Sequence, residues 1–170
     1  MGEHPRAHLE GFTGILQADA YSGFAKLYDA PPGETPRIRE AACWAHLRRD
    51  FHDVWKATGS PIAKDALERI GALYDIERRI HGRSADERLA VRREHSRPRV
   101  EAFRAWCEDQ LARVPAKGEL AKAMRYALER WSSFTLFLTD GRVAIDNNAA
   151  ERAVRPVGGV DSLCPSSSSV

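Results

Sequence analysis

The sequence predicts an α/β fold, mostly helical by content, and three observations carry that expectation. Two short apolar runs, Phe12–Ala18 and Ile38–Ala45, have the length and the boundaries of buried strands. From Ser60 to Leu138 the apolar residues recur instead at helical spacing. After the turn signal Asp140-Gly141 a short β-branched run passes through Val143 and Ile145.

The bulk properties set the frame. At 170 residues, 43% hydrophobic and 29% charged, the chain has the size and composition of one soluble globular domain. A net charge of +2 is too mild to argue for or against nucleic acid. The kind of cation says more, because arginine greatly outnumbers lysine and gathers in patches. A planar guanidinium fork suits phosphate better than an ammonium point charge does. Cys43, Cys107 and Cys164 are widely spaced and odd in number, so no disulfide framework is implied. No apolar run approaches membrane-spanning length and the start M-G-E-H-P-R is no signal peptide, which makes a reducing cytoplasm the default.

In chain order, the run F-T-G-I-L-Q-A ends at Asp19, and A-Y-S-G-F-A-K-L-Y then passes from turn to helical character. A carboxylate at the end of a buried strand is where open α/β sheets place ligand groups, and equally a place for a turn or cap residue. Pro31-Pro32-Gly33 is a loop. The second strand, I-R-E-A-A-C-W-A, leads to His46 and a helix. In that helix Leu47, Phe51, Val54 and Trp55 share one face and Arg48 and Arg49 turn outward.

Ser60-Pro61 is an N-cap with proline at the first helical position. Ile62, Ala66, Ile70, Leu73 and Tyr74 form the stripe that follows, and His81-Gly82 ends it. Ser84 and Glu87 make a capping box for a helix running toward Pro98. Val100, Phe103, Trp106, Cys107 and Leu111 form a further stripe; Leu120, Met124, Ala127, Leu128 and Trp131 form the last. The four tryptophans read as core rather than as base-stacking platforms. The arginine run from Arg78 to Arg99 is interleaved with acids, so it reads either as a nucleic-acid face or as surface ion pairs.

The stretch I-D-N-N-A-A-E-R-A-V-R-P, Ile145 to Pro156, reads as a short helix. Asp146, Asn147 and Asn148 are good N-caps, alanines follow, and Pro156 stops it. Glu151 in its first turn is a metal-binding or acid/base carboxylate on one reading. On the other it is the partner of Asn148 in a capping box. Cys43, His46 and His52 lack the fourth ligand and the second close pair of a zinc site. Nothing marks an orienting third group for a Cys43–His46 nucleophile.

Three separated stretches, L-Q-A-D-A-Y-S-G-F around Asp19, C-W-A-H-L-R-R-D-F from Cys43 and D-G-R-V-A-I-D-N-N-A-A-E-R-A-V-R-P from Asp140, together resemble the catalytic region of IS66 family insertion-sequence transposases. The resemblance covers roughly residues 5 to 156. It implies a partial ribonuclease-H-like core over residues 1–156, with 52–138 as a helical insertion and 157–170 as a flexible tail.

It also implies a site of two aspartates and a glutamate, with Asp19 as the second aspartate and Glu151 as the glutamate. Both would be metal ligands for Mg²⁺ or Mn²⁺. Two such ions about 4 Å apart activate the nucleophile of phosphodiester chemistry and neutralise the charge that develops. By the same resemblance His46, Arg48 and Arg49 would contact DNA phosphates or support the site, and Arg152 and Arg155 carry the same readings. The implied partners are transposon-end DNA and other transposase subunits.

The sequence departs from the family pattern in two places. No residue matches the first aspartate, and a Gly/Ser-rich tail stands where a glycine, arginine, lysine and asparagine-rich stretch is expected. The expectation is therefore a truncated transposase, inactive alone. A non-catalytic DNA- or partner-binding helical module is the alternative from another class, and a resolvase or nuclease of the same fold lacks the three-stretch match.

Overall fold

The computed structural model describes residues 11–17, 34 and 36–147. Strands β1 (Gly14–Gln17) and β2 (Ile38–Ala41) pair in parallel, with Gly14 opposite Ile38 and Gln17 opposite Ala41. Helices α1 (Trp44–Thr58) and α2 (Pro61–Arg79) follow. Then come α3 (Ala85–Val91), a π-helical segment Arg92–Ser96, and α4 (Arg97–Leu111). Helices α5 (Glu119–Glu129) and α6 (Trp131–Thr135) and a 3₁₀ turn Leu136–Leu138 complete the described elements. The chain is thus mostly helical with a small two-stranded sheet.

Local chemistry explains the boundaries. Gly59, at φ 65°, takes the left-handed conformation that ends α1, and its N–H caps the Trp55 carbonyl. Ser60 Oγ accepts from the Ala63 N–H with Pro61 at the first helical position. The Ser84–Glu87 capping box is present in both directions: Glu87 Oε2 accepts from Ser84 N at 3.0 Å, and Ser84 Oγ from Glu87 N at 3.3 Å. The two hydrogen bonds to Ser84 hold the Glu87 carboxyl below its usual range.

Four helices form a closed ring, α1 against α2 and α5, and α4 against α2 and α5. Trp44 is the centre of their shared core. Its ring packs edge-on to Phe134 at 5.3 Å and tilted to Phe103 at 5.6 Å, and its indole N–H donates to the Phe134 carbonyl at 2.9 Å. The core is continuous from Ala41 and Trp44 through Leu47, Ile70, Phe103 and Met124 to Val143 and Ile145. Glu40 of β2 pairs with Arg130 at the end of α5, tying the sheet to the ring.

Three sequence expectations are corrected. The second strand stops at Ala41 instead of reaching Ala45, because Trp44 belongs to the stripe Trp44, Leu47, Phe51 that α1 buries. The helix aimed at Pro98 does not end there. One rod runs from Ala85 to Leu111, its wide π turn lying just before Pro98, so the missing proline N–H falls at a seam in the hydrogen-bond pattern. Trp55 is 39% exposed rather than core, with His52 beside its ring.

The π turn carries Arg92 and Ser96 inward, and Arg92 is fully buried in the middle of the arginine run that reads as surface. Its Nε and Nη2 donate to both oxygens of Glu77, at 2.8 and 2.7 Å. Its Nη1 donates to the carbonyls of Phe137 at 3.0 Å and Val143 at 2.9 Å, and more loosely to Asp140 at 3.4 Å. The guanidinium also lies 5.2 Å from the Phe137 ring centre.

Next to this clamp, Gly141 is pressed on the first turn of α3. A Cβ there would meet the Ala85 carbonyl oxygen at 1.8 Å, so the close approach, beyond the turn, demands glycine.

Breaking a buried pair from one side leaves the other charge poorly compensated, here with Arg88 at 3.6 Å from Glu77. Arg92→Met is expected to cost about 3–5 kcal/mol in urea denaturation. Arg92→Met/Glu77→Gln should recover at least about 1 kcal/mol of that loss. Strict additivity of the two substitutions would show that the pair is not coupled.

Candidate functional site

The described ends of three separated stretches meet at the C-terminal edge of the two strands. At the end of β1, Gln17 Nε2 donates to the Ala144 carbonyl at 3.1 Å. After β2, Cys43 is the N-cap residue of α1, with extended backbone and no side-chain cap bond of its own. The N-terminus of α1 is served from outside, since the Trp44 N–H donates to the Ile145 carbonyl at 3.1 Å. The Cys43 thiol lies 3.0 Å from Asn147 Oδ1 and donates to it. Burial pushes that thiol up from its ordinary pKa, and the backbone N–H groups of Asn147, His46 and Ala45 partly oppose the shift.

Asp146 stands in the same place, beside Tyr74 of α2. The Tyr74 hydroxyl is buried with no full hydrogen bond among the described residues, and the Asp146 carboxylate is its polar neighbour. Burial first, and then Asp146, push Tyr74 ionisation far above the ordinary tyrosine range. His46 is half-buried on the first turn of α1; Arg48 and Arg49 are exposed, as their spacing predicts. Asp19, Glu151, Arg152 and Arg155 lie outside the described residues. Described residues do flank them, Gln17 two positions before Asp19 and Asn147 four before Glu151. Among the described residues no three His, Cys, Asp or Glu side chains gather closely enough to hold a metal ion. No described helix is long and apolar enough to cross a membrane.

Two residues that shape this place escape a reading of composition and motif. Arg92 holds the segment from Phe137 to Val143 that leads into it. Its signal is phase: Leu89, Arg92, Ser96, Val100, Phe103 and Cys107 lie on one helical face, so an arginine occupies a core position. Tyr74 is visible as the last member of the α2 stripe, but its hydroxyl's neighbour comes from a residue 72 positions away, which no local pattern shows.

The family model described as "Transposase IS66 family" matches residues 1–159. Among curated relatives in Sinorhizobium fredii (strain NBRC 101917 / NGR234), the uncharacterized protein y4hP is 44% identical over 168 residues, covering 92% of this chain and 30% of the relative. The uncharacterized protein y4qI is 42% identical over 152 residues, covering 88% of this chain and 28% of the relative. The chain therefore spans less than a third of the length of these relatives. No solved structure matches.

A buried hydroxyl without a full hydrogen bond costs stability, so its removal is expected to be neutral or favourable. Tyr74→Phe should leave the unfolding free energy unchanged or raise it by up to about 1 kcal/mol in urea titrations. A loss above about 1 kcal/mol would mean that Tyr74 and Asp146 form a full hydrogen bond.

Proposed function

Since the chain belongs to the IS66 family of transposases, we propose that it carries part of the site at which a DNA transposase cleaves and joins phosphodiester bonds. Asp19 and Glu151 are its metal-holding carboxylates. The observation that supports this most is the meeting of the three stretches: Gln17 on Ala144, and Cys43 and Trp44 on Asn147 and Ile145. These contacts tie the segment before Asp19 to the segment before Glu151. The parallel pairing of β1 and β2 supports the finer fold reading, a ribonuclease-H-like core with residues 52–138 inserted between the second and third stretches.

The donor chemistry fits a hard divalent cation. The carboxylates of Asp19 and Glu151 are oxygen donors, and Asp146, five positions before Glu151, is a third carboxylate. Burial keeps the proton on Cys43, the soft donor of the neighbourhood, and the thiol donates it to Asn147. Mg²⁺ or Mn²⁺ bound there would make water a nucleophile near neutral pH and offset the charge that develops on phosphorus oxygens.

The protein's own part is binding and orientation. Asp19, two positions past the end of β1, and Glu151, four positions past Asn147, would hold the cation. His46, Arg48, Arg49, Arg152 and Arg155 contact DNA phosphates and fix the strand's register without reading its sequence. Each arginine contact releases counterions, so binding weakens as salt rises.

The test measures Mn²⁺ binding to the 170-residue polypeptide by electron paramagnetic resonance, together with nicking and joining of transposon-end DNA. Asp19→Ala and Glu151→Ala are each expected to weaken Mn²⁺ binding tenfold or more. The first aspartate of the triad has no match among these residues, so this polypeptide should give no strand transfer. Unchanged Mn²⁺ affinity in both variants, with DNA binding indifferent to metal, would overturn the catalytic reading in favour of a non-catalytic DNA-binding module.

A further inference from the structure

Arg78, in the arginine-rich stretch, is a cation that neither the core nor the proposed site absorbs. It lines an open cavity of about 470 Å³ between α1 and α2. Ala45 and Arg48 come from α1, and Gly71, Tyr74, Asp75 and Arg78 from one face of α2. The cavity opens beside the meeting point of the three stretches, because Tyr74 is both a wall residue here and the neighbour of Asp146.

Three features of the lining point to one kind of ligand. First, Arg48 makes neither an ion pair nor a hydrogen bond among the described residues, although it faces a cavity. Second, among the described residues Arg78 is held by Asp75 alone, one turn away on its own helix, and the pair is largely exposed, 72% and 52%. Such a pair contributes little, so Arg78 can exchange Asp75 for a stronger anion at small cost. Third, Gly71 sits in the middle of a 19-residue helix, where glycine lowers helix propensity. Packing does not require it, since a Cβ there would meet nothing within 4 Å. What the absent side chain leaves is width, between two guanidinium groups that recognise phosphate in planar, paired fashion.

We propose that this groove takes a length of DNA sugar-phosphate backbone, with Arg48 and Arg78 each on a phosphate and the sugar passing over Ala45 and Gly71. The inference rests on the reading of the chain as part of a transposase site, and it names the path by which the strand reaches that site. Asp75 returns Arg78 to its resting pair when DNA leaves.

The experiment follows binding of a fluorescently labelled duplex by anisotropy across a salt series, using the full 170-residue chain. Arg78→Ala is expected to weaken binding several-fold and to lower the slope of log K against log salt by about 0.9. Gly71→Gln keeps or raises helix propensity and has open space for its side chain, so its melting temperature should not fall. It should nevertheless weaken binding several-fold by filling the groove. Arg113→Ala removes the same charge just past the end of α4, outside the groove, and should leave the slope unchanged.

Wild-type affinity and slope in Gly71→Gln and Arg78→Ala would overturn the groove and leave the reading of Asp19 and Glu151 standing. An equal loss of slope in Arg113→Ala would do the same, by showing that only net charge matters. Absence of any DNA binding by the wild-type chain would also overturn the groove, while Mn²⁺ binding decides the carboxylates separately.

Discussion

The buried ion pair between Arg92 and Glu77 is the constraint on which the rest of the structure depends. Taking two charges out of water costs several kcal/mol per ion unless every donor finds an acceptor. Here the fork of Arg92 meets both oxygens of Glu77, and its remaining nitrogen reaches the carbonyls of Phe137 and Val143. The desolvation is compensated only when α2, the π turn and the segment after the 3₁₀ turn are all in place. That requirement makes the arrangement all-or-none, and it fixes the path of residues 137 to 143 against the helical ring.

From that fixed path the local contacts at the strand ends follow. Residues 144 to 147 emerge from the clamp next to the start of α1, and the Ile145 carbonyl takes up the Trp44 N–H that a helix start leaves without an acceptor. Trp44 in turn anchors the core through its rings and its indole N–H. One residue thus joins the aromatic core to the meeting point of the three stretches. The proposed function needs two carboxylates that lie over a hundred residues apart in the chain to share one place. The helical ring is the device that returns the chain to its own beginning.

How much of this could be read from the sequence divides by the range of the interaction. Caps and stripes are local chemistry, and Ser60-Pro61, Ser84–Glu87 and the faces of α2, α4 and α5 stand where their residue types put them. The existence of both strands was legible for the same reason. The end of β2 was not, because A-A-C-W-A suits a buried strand and a buried helix start equally, and only packing against Phe103 and Phe134 decides between them. Arg92 escaped because its partners lie 15 to 51 residues away. Trp55 escaped for the opposite reason: helical spacing puts it on the apolar face of α1, yet its side chain stays 39% exposed. The candidate site was legible only as a pattern of three stretches. Its two carboxylates lie outside the described residues, and the contacts of Gln17, Cys43 and Asn147 are what the structure adds to that pattern.

On the proposed function, folding brings positions 19 and 151 to one metal site. Carboxylates that flank two ions about 4 Å apart lie within about 10 Å of each other. The most direct measurement is a spin-label distance between cysteines placed at 19 and 151, in a chain whose Cys164 is replaced. Cys43 and Cys107 are buried with raised thiol pKa values, Cys107 to about 12, and stay unlabelled. The expected result is a narrow, short distance distribution that lengthens and broadens when Arg92→Met breaks the clamp. A long distance in the intact protein, or a short one indifferent to Arg92, would contradict the account.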